Sequence, residues 1–373
     1  MRPPVEVLET VEFGERLAPS VEPGSATSEL WRDVVAVRAK KLARQSALWI
    51  FLTDALLVLA FGIASPGHVF VHAANIRDLL LDGSETVLLS VGEALLLGAA
   101  QLDISVGANL VLSSAVGAEV MIHLSGSSDQ VAAGNYPHEA LGITLGVLTC
   151  LLTGMAFGAV NGYMVGWLKI NPLLATLATM GIGTGVADVL TNGFNVPYIP
   201  LAVQTDFGAK MFFGLFPAPA VLVGLLCVVS WIAMTKTRFG VHTLALGSSL
   251  TSAVRAGLNV RRKVMSLFVI MGLFSGVAGL IDFTRFATTD VGGHTTDALS
   301  AIAGAVIGGT SIFGGNVSVG GAVIGAMLAV IVDVGLVILN FGAFYQLIAI
   351  GVVLAAAVAL DQRRRAKRNA AAR

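Results

Sequence analysis

Ionisable side chains inside apolar stretches are the residues of this sequence with the clearest chemical potential. Glu93 and Asp333 fall near the middle of such stretches, and Asp282 and Arg285 stand three residues apart. An ionisable group in a bilayer costs roughly 2.5–3.5 kcal/mol, so each needs a partner or a function. Glu93 and Asp333 could accept hydrogen bonds from a hydroxyl-rich ligand in a wet cavity, or bond to neighbouring Ser, Thr or backbone groups. Asp282 and Arg285, one helical turn apart, are predicted to form a structural ion pair.

No motif of a catalytic site accompanies these residues. The sequence has no GxxxxGK[ST] phosphate-binding loop, so any ATP that drives this protein must be hydrolysed by another polypeptide. It also has no nucleophile elbow and no HExxH pair, and its six histidines show no metal-ligand spacing. We therefore expect no catalytic residues, no bound metal and no cofactor, and no enzyme activity of its own.

The composition is that of a polytopic membrane protein with an all-α fold. Hydrophobic residues make up 55% of the chain and charged residues 12%, against roughly 25% charged residues in soluble domains. Apolar segments of about 20 residues, the length that crosses a bilayer, predict about ten spans. They lie near residues 46–65, 79–100, 106–124, 140–167, 173–190, 218–234, 265–281, 299–315, 317–339 and 343–360, of which 299–315 is short or broken.

The distribution of basic residues predicts the orientation. Lys and Arg collect at 32–44, 236–263 and 363–373, whereas the loops at 125–139 and 284–298 are poor in them. Basic loops lie on the cytoplasmic side, so both termini are expected there. Adding or removing two spans would leave this pattern unchanged. The pattern therefore supports an even number of spans more strongly than it supports ten spans, and eight spans is the alternative.

Three regions follow from this layout. Residues 1–45 are acidic and proline-containing without an apolar stretch, which predicts a disordered cytoplasmic tail and no cleavable signal peptide; docking of this tail on a partner is the alternative. Residues 46–361 form the membrane domain, and residues 362–373 form a basic cytoplasmic tail.

The basic loop at 236–263 has no acidic residue. Within it, Leu250 to Arg255 is predicted to form a short helix outside the bilayer, closed by Gly257.

In the apolar segments, glycines recur four residues apart, as at Gly154 and Gly158 and at Gly272 and Gly276. This spacing predicts close packing between spanning helices.

Four motifs resemble one family. They are QLDISVGANLVLSS at 101–114, NGYMVGWLKINPLLATLATMGIGTGVADVLTNG at 161–193, LALGSSLTSAVRAGLNV at 244–260 and LSAIAGAVIGGTSIFGGNVSVGGAVIGA at 299–326. In collinear order across residues 46–361, they are similar to the permease subunits of ATP-binding-cassette (ABC) importers for ribose, xylose, galactose and related monosaccharides, within the binding-protein-dependent permeases.

This resemblance implies a transport subunit in the bacterial inner membrane that works by alternating access. Its implied partners are separate ABC ATPase subunits, which bind ATP and Mg, a periplasmic or lipid-anchored sugar-binding protein, and a second permease copy in a homodimer or pseudo-dimer. No nucleic acid is expected. Implied contacts with the ATPase are Leu246, Gly247, Leu250, Thr251, Arg255, Gly257, Asn259 and Arg261. Candidate residues of the substrate pathway are Glu93, Asp103, Ser105, Asn161, Asn171, Thr176, Thr179 and Asp333.

Several positions depart from the family pattern. Leu250 replaces an acidic residue in the loop that contacts the ATPase, Asp333 replaces a common Asn, and Glu93 replaces an apolar residue. These changes suggest an atypical substrate or a divergent subgroup. Two other classes of transporter remain open: an ion-coupled secondary transporter in which Glu93, Asp333 or Asp54 carries protons, and an ABC permease for branched-chain amino acids or nucleosides.

Overall fold

The computed structural model describes residues 46–342 and six later positions, namely 345, 348, 351, 352, 355 and 359. The predicted tails at 1–45 and 362–373 lie outside the described residues. Of the predicted span at 343–360, only those six positions are described, and all six are helical.

The described chain is built almost entirely of α-helices. In order they are α1 (Ser46–Ala64), α2 (Ala73–Gly98), α3 (Val106–Ser125), α4 (Ser128–Ala132), α5 (Glu139–Gly166), α6 (Pro172–Thr191), α7 (Leu201–Val203), α8 (Ala218–Lys236), α9 (Arg238–Ser248), α10 (Leu250–Arg255), α11 (Val260–Phe286), α12 (Asp297–Ile307) and α13 (Val319–Ile338). A 3₁₀ segment at Pro66–Val71 follows α1, and a π-helical turn at Gln204–Gly208 follows α7. Strands β1 (Met211–Phe212) and β2 (Phe216–Pro217) form a small antiparallel hairpin.

Six of these helices are long and apolar enough to cross a membrane: α3, α5, α6, α8, α11 and α13. A helix lies at each of the nine predicted spans before residue 343, but α1, α2 and α12 do not meet the same criterion. Helix α2 carries several charged residues, and α12 has 11 residues, about 16 Å at 1.5 Å per residue. The prediction of about ten spans is therefore not confirmed by helix length and composition.

The helices pack in two connected groups. Helix α5 contacts α3 and α11 extensively, and α6 lies mainly against α3. Helices α1, α12 and α13 contact one another or α2, and α2 also packs against α11 and so joins the two groups. Side chains such as Leu88 of α2 and Phe268 of α11 are fully buried in the shared core.

Glycines allow the close approach of α5 and α11. A Cβ atom on Gly154 would meet the carbonyl oxygen of Gly272 and Cα of Gly276, and a Cβ atom on Gly158 would meet the carbonyl oxygen of Phe268. The backbones of the two helices are therefore in direct contact. The predicted role of these glycines in helix packing is confirmed.

Polar side chains cap the N-termini of several helices. Oδ1 of Asn171 accepts a hydrogen bond from the backbone N–H of Leu173 at the start of α6, at 2.9 Å. Ser249 caps α10 and Asn259 caps α11 in the same way. The predicted short helix from Leu250 to Arg255 is confirmed as α10.

Replacing Gly272 with Val should lower the thermal stability of the purified protein, because a Cβ atom at this position meets backbone atoms of Gly154 and Gly158. Overpacking of this kind costs about 1–3 kcal/mol. Gly224→Val in α8 is the matched control, since a Cβ atom there meets no atom within 4 Å. Thermal unfolding in detergent measures both variants, and an equal loss in both would contradict the role of the helix contact.

Candidate functional site

A buried polar cluster lies where the segment after α2 enters α3. Oδ1 of Asp103 accepts hydrogen bonds from the backbone N–H of Ser105 at 2.8 Å and from Oγ of Ser105 at 2.5 Å. Nδ2 of Asn161, on α5, donates to Oγ of Ser105 at 2.8 Å and to Oδ2 of Asp103 at 3.4 Å. All three side chains are buried, so the start of α3 is tied to α5.

The polar cluster continues onto α6. Oγ1 of Thr179 donates to Oδ1 of Asn161 at 2.7 Å, and Oγ1 of Thr176 accepts from the backbone N–H of Ile104 at 3.2 Å. Five of the eight candidate pathway residues, Asp103, Ser105, Asn161, Thr176 and Thr179, are therefore brought together. Their hydrogen bonds hold the segment at 99–105 between α5 and α6.

The other three candidate pathway residues lie elsewhere. Asn171 is exposed and caps α6, and Asp333 is partly buried in α13. Glu93 is fully buried in α2, and neither of its carboxylate oxygens has a hydrogen-bond partner among the described residues. The backbone N–H of Asp103 is close to Glu93 but outside hydrogen-bond geometry.

The predicted ion pair between Asp282 and Arg285 is wrong. Arg285 forms its salt bridge with Asp82 of α2. Oδ2 of Asp282 instead accepts a hydrogen bond from Oγ of Ser114 on α3, at 2.8 Å. Helical spacing permitted the pair, but each side chain has a partner on a different neighbouring helix.

His294 is a charged residue that the sequence interpretation missed. Its Nδ1 lies 2.7 Å from Oδ2 of Asp297, and its Nε2 lies 3.4 Å from Oδ1 of Asp282, close enough for an ion pair but outside hydrogen-bond geometry. Burial alone would lower the pKa of His294, but the two carboxylates outweigh it and raise the pKa to about 11. The imidazole is therefore charged at neutral pH. The spacing of His294 and Asp297, three residues apart, was the available signal in the sequence.

The residues predicted to contact an ATPase lie on α9, α10 and their flanks. Leu246 is buried, Gly247 packs against Gly98 of α2, and Gly257 has φ +79°, where a side chain would strain the backbone. Asn259 caps α11. The remaining predicted contacts are exposed at this end of the molecule: Leu250, Thr251, Arg255 and Arg261.

The polar cluster and the exposed helix α10 both lie in the part of the chain that matches one known protein family. A family model described as "Branched-chain amino acid transport system / permease component" matches residues 75–358. The chain belongs to this permease family. It is therefore a multi-pass protein of the inner membrane and a transport subunit rather than an enzyme.

Several characterised permeases are similar to the chain over most of its length. The D-allose transport system permease protein of Escherichia coli (strain K12) is 32% identical over 84% of this chain and 90% of its own length. The ribose import permease protein of Bacillus subtilis (strain 168) is 32% identical over 85% and 92%. The L-arabinose ABC transporter permease protein of Azospirillum brasilense is 30% identical over 95% and 97%. No solved structure matches the chain.

Replacing Arg285 with Gln should destabilise this permease by about 1 kcal/mol, because Asp82 loses a partly exposed partner. The loss should largely disappear when Asp82 is already Asn, and should persist when Asp282 is already Asn. Unfolding of the single and double variants in detergent measures the coupling between the two positions. If Asp282→Asn rather than Asp82→Asn removed the effect, the observed pairing would be contradicted.

Proposed function

We propose that this permease is the membrane subunit of an ABC importer that moves a monosaccharide or polyol across the inner membrane. The observation that carries the proposal is alignment over 84–95% of the chain with permeases named for D-allose, ribose and L-arabinose. The absence of a phosphate-binding loop in the sequence assigns ATP hydrolysis to a separate ATPase. A binding protein on the outer side delivers the sugar.

The proposed topology has ten spans with both termini in the cytoplasm. The helices at the nine predicted positions before residue 343 support it. In this arrangement α12, which ends at Ile307, is a short crossing completed by the segment leading to α13. The basic loop at 236–263 then faces the cytoplasm, in agreement with the positive-inside pattern.

Helix α10 is the proposed contact with the ATPase. Leu250 and Val254 stand four residues apart, so they share one face of the helix, and their exposed fractions are 55% and 56%. Ala253, which precedes Val254, is buried and anchors the helix. An apolar face outside the bilayer, next to the exposed Arg255, is suited to a groove on a partner protein.

A junction of glycines supports transmission of motion from α9 and α10 to the membrane helices. The backbone N–H of Gly315 donates to the carbonyl oxygen of Gly98 at 3.0 Å. A Cβ atom on Gly247 would meet both of these residues, and one on Gly314 would meet Gly247. The end of α9 therefore contacts the end of α2 and the segment before α13. Gly98 directly precedes the segment that carries the polar cluster.

A second permease copy is part of the proposal. Helix α6 packs mainly against α3 and leaves most of its surface exposed, including the carboxylate of Asp188. An exposed carboxylate is unfavourable against lipid. A second subunit, with a wet pathway between the two copies, would cover this face.

Purified permease in proteoliposomes should take up a monosaccharide only when its ABC ATPase, its binding protein and ATP are all present. D-allose, D-ribose and L-arabinose, tested separately with the subunits encoded by neighbouring genes, are the first probes. Uptake by the permease alone, driven by an ion gradient and lost in Glu93→Gln, would instead favour an ion-coupled transporter. That is the second candidate because the carboxylate of Glu93 is buried and has no hydrogen-bond partner within the described part of the chain.

Replacing Val254 with Asp should reduce uptake and ATPase binding by at least about tenfold, since a charge would occupy the apolar face of α10. The folded yield should not change, because Val254 is exposed. Val69→Asp, at an exposed valine between α1 and α2, is the matched control and should keep both activities. Normal ATPase binding by Val254→Asp would place the contact elsewhere.

A further inference from the structure

A cavity lies between α3, α6, the segment after α11 and α12. Its cavity volume is about 100 Å³, and the unfilled space reaches about 480 Å³ when the open space in front of it is included. Small-molecule sites usually measure about 300–1,000 Å³, so a ligand bound here would extend from the cavity into the open space in front of it. Helix α3 contributes Gly107, Ala108 and Val111 to its wall, and α6 contributes Met180 and Thr184.

The lining combines apolar walls with free hydroxyl groups. Val111, Met180 and Val291 form much of the wall, and Thr184 and Thr295 add hydroxyl groups that make no hydrogen bond to any described residue. A hydroxyl group can both donate and accept. The described lining includes no acidic side chain, so it offers no partner for the ammonium group of an amino acid.

Ion-pair contacts of His294 hold the part of the cavity wall that the segment between α11 and α12 forms. His294 lines the cavity, and its imidazolium contacts Asp297 and Asp282 on the two flanking helices. The backbone carbonyl of His294 lies directly against Gly107, where a Cβ atom would collide with it. The cavity is therefore a preformed feature of this packing, which lowers the cost of binding a ligand.

Thr184 and Thr295 are the two exposed residues of the described lining and mark the mouth of the cavity. Thr184, Gly185 and Asp188 are exposed, and Thr184 and Asp188 are one helical turn apart on the same face. A carboxylate on this face favours water rather than lipid beside it. A polar ligand could therefore reach the cavity from the pathway.

We infer that this cavity is a subsite for one monosaccharide on the transport pathway. The hydroxyl groups of Thr184 and Thr295 exchange hydrogen bonds with sugar hydroxyl groups, and the apolar wall of Val111, Met180 and Val291 contacts the carbon face of the ring. His294 positions the wall and does not contact the sugar through Nε2, which is buried. The inference rests on the proposed function and assigns a place to its substrate.

The first test uses the complete reconstituted transporter with D-allose, D-ribose and L-arabinose in turn. Thr184→Val, which removes one hydroxyl group, should slow maximal uptake by about 3–10-fold. Thr184→Trp, which fills the mouth, should slow it more, while ATP hydrolysis and membrane yield stay unchanged. The matched controls are Thr144→Val and Thr144→Trp at an exposed threonine of α5, which should transport normally.

A second test does not depend on transport rates. With Cys227 replaced by Ser, Thr184→Cys introduces a thiol at the mouth, and a polar maleimide should label it more slowly when a transported sugar is present. The thiol of Thr144→Cys should label at the same rate with and without sugar. Normal uptake by Thr184→Trp, or labelling of Thr184→Cys that sugar does not slow, would overturn the subsite. A wild-type transporter that moves no monosaccharide would overturn the proposed function itself.

Discussion

The scarcity of hydrogen-bonding partners inside a bilayer constrains the whole structure. A buried charge or hydroxyl group is costly there unless the protein supplies its partner. In this permease the partners often come from other helices: Arg285 of α11 pairs with Asp82 of α2, and Ser114 of α3 donates to Asp282 of α11. Each such contact fixes the position of one helix relative to another.

Close packing between helices is the second interaction that holds the structure together. Hydrophobic attraction does not draw helices together in lipid, so their association depends on how closely their surfaces fit. Along α5 and α11, glycines such as Gly154 and Gly272 place one backbone directly against the other. Contact of this kind leaves little room for independent movement, so α3, α5 and α11 are expected to move together as a rigid unit.

The segment between α2 and α3 is fixed by both kinds of interaction, hydrogen bonds between buried polar groups and close glycine packing. At one end Gly98 contacts Gly247 of α9 and the segment before α13. In the middle, Asp103 is held by Asn161, and at the other end Gly107 borders the cavity. A displacement of α9 would thus reach, within ten residues, both the polar cluster and the proposed sugar subsite. Glu93 departs from this pattern, because it is buried and its carboxylate oxygens have no hydrogen-bond partner among the described residues.

Apolar run length, a local property of the sequence, predicted a helical membrane protein with a helix at each of the nine spans before residue 343, and the resemblance of the motifs to a known family predicted a permease. The sequence also located α10 between Leu250 and Arg255, and its family motifs supplied five residues that meet in the polar cluster. Only the tertiary structure decided which side chains pair. Spacing along α11 joined Asp282 to Arg285, yet Arg285 binds Asp82, which lies about 200 positions away in the chain. Partner choice and cavities depend on which helices come together, and that information is spread over the whole chain.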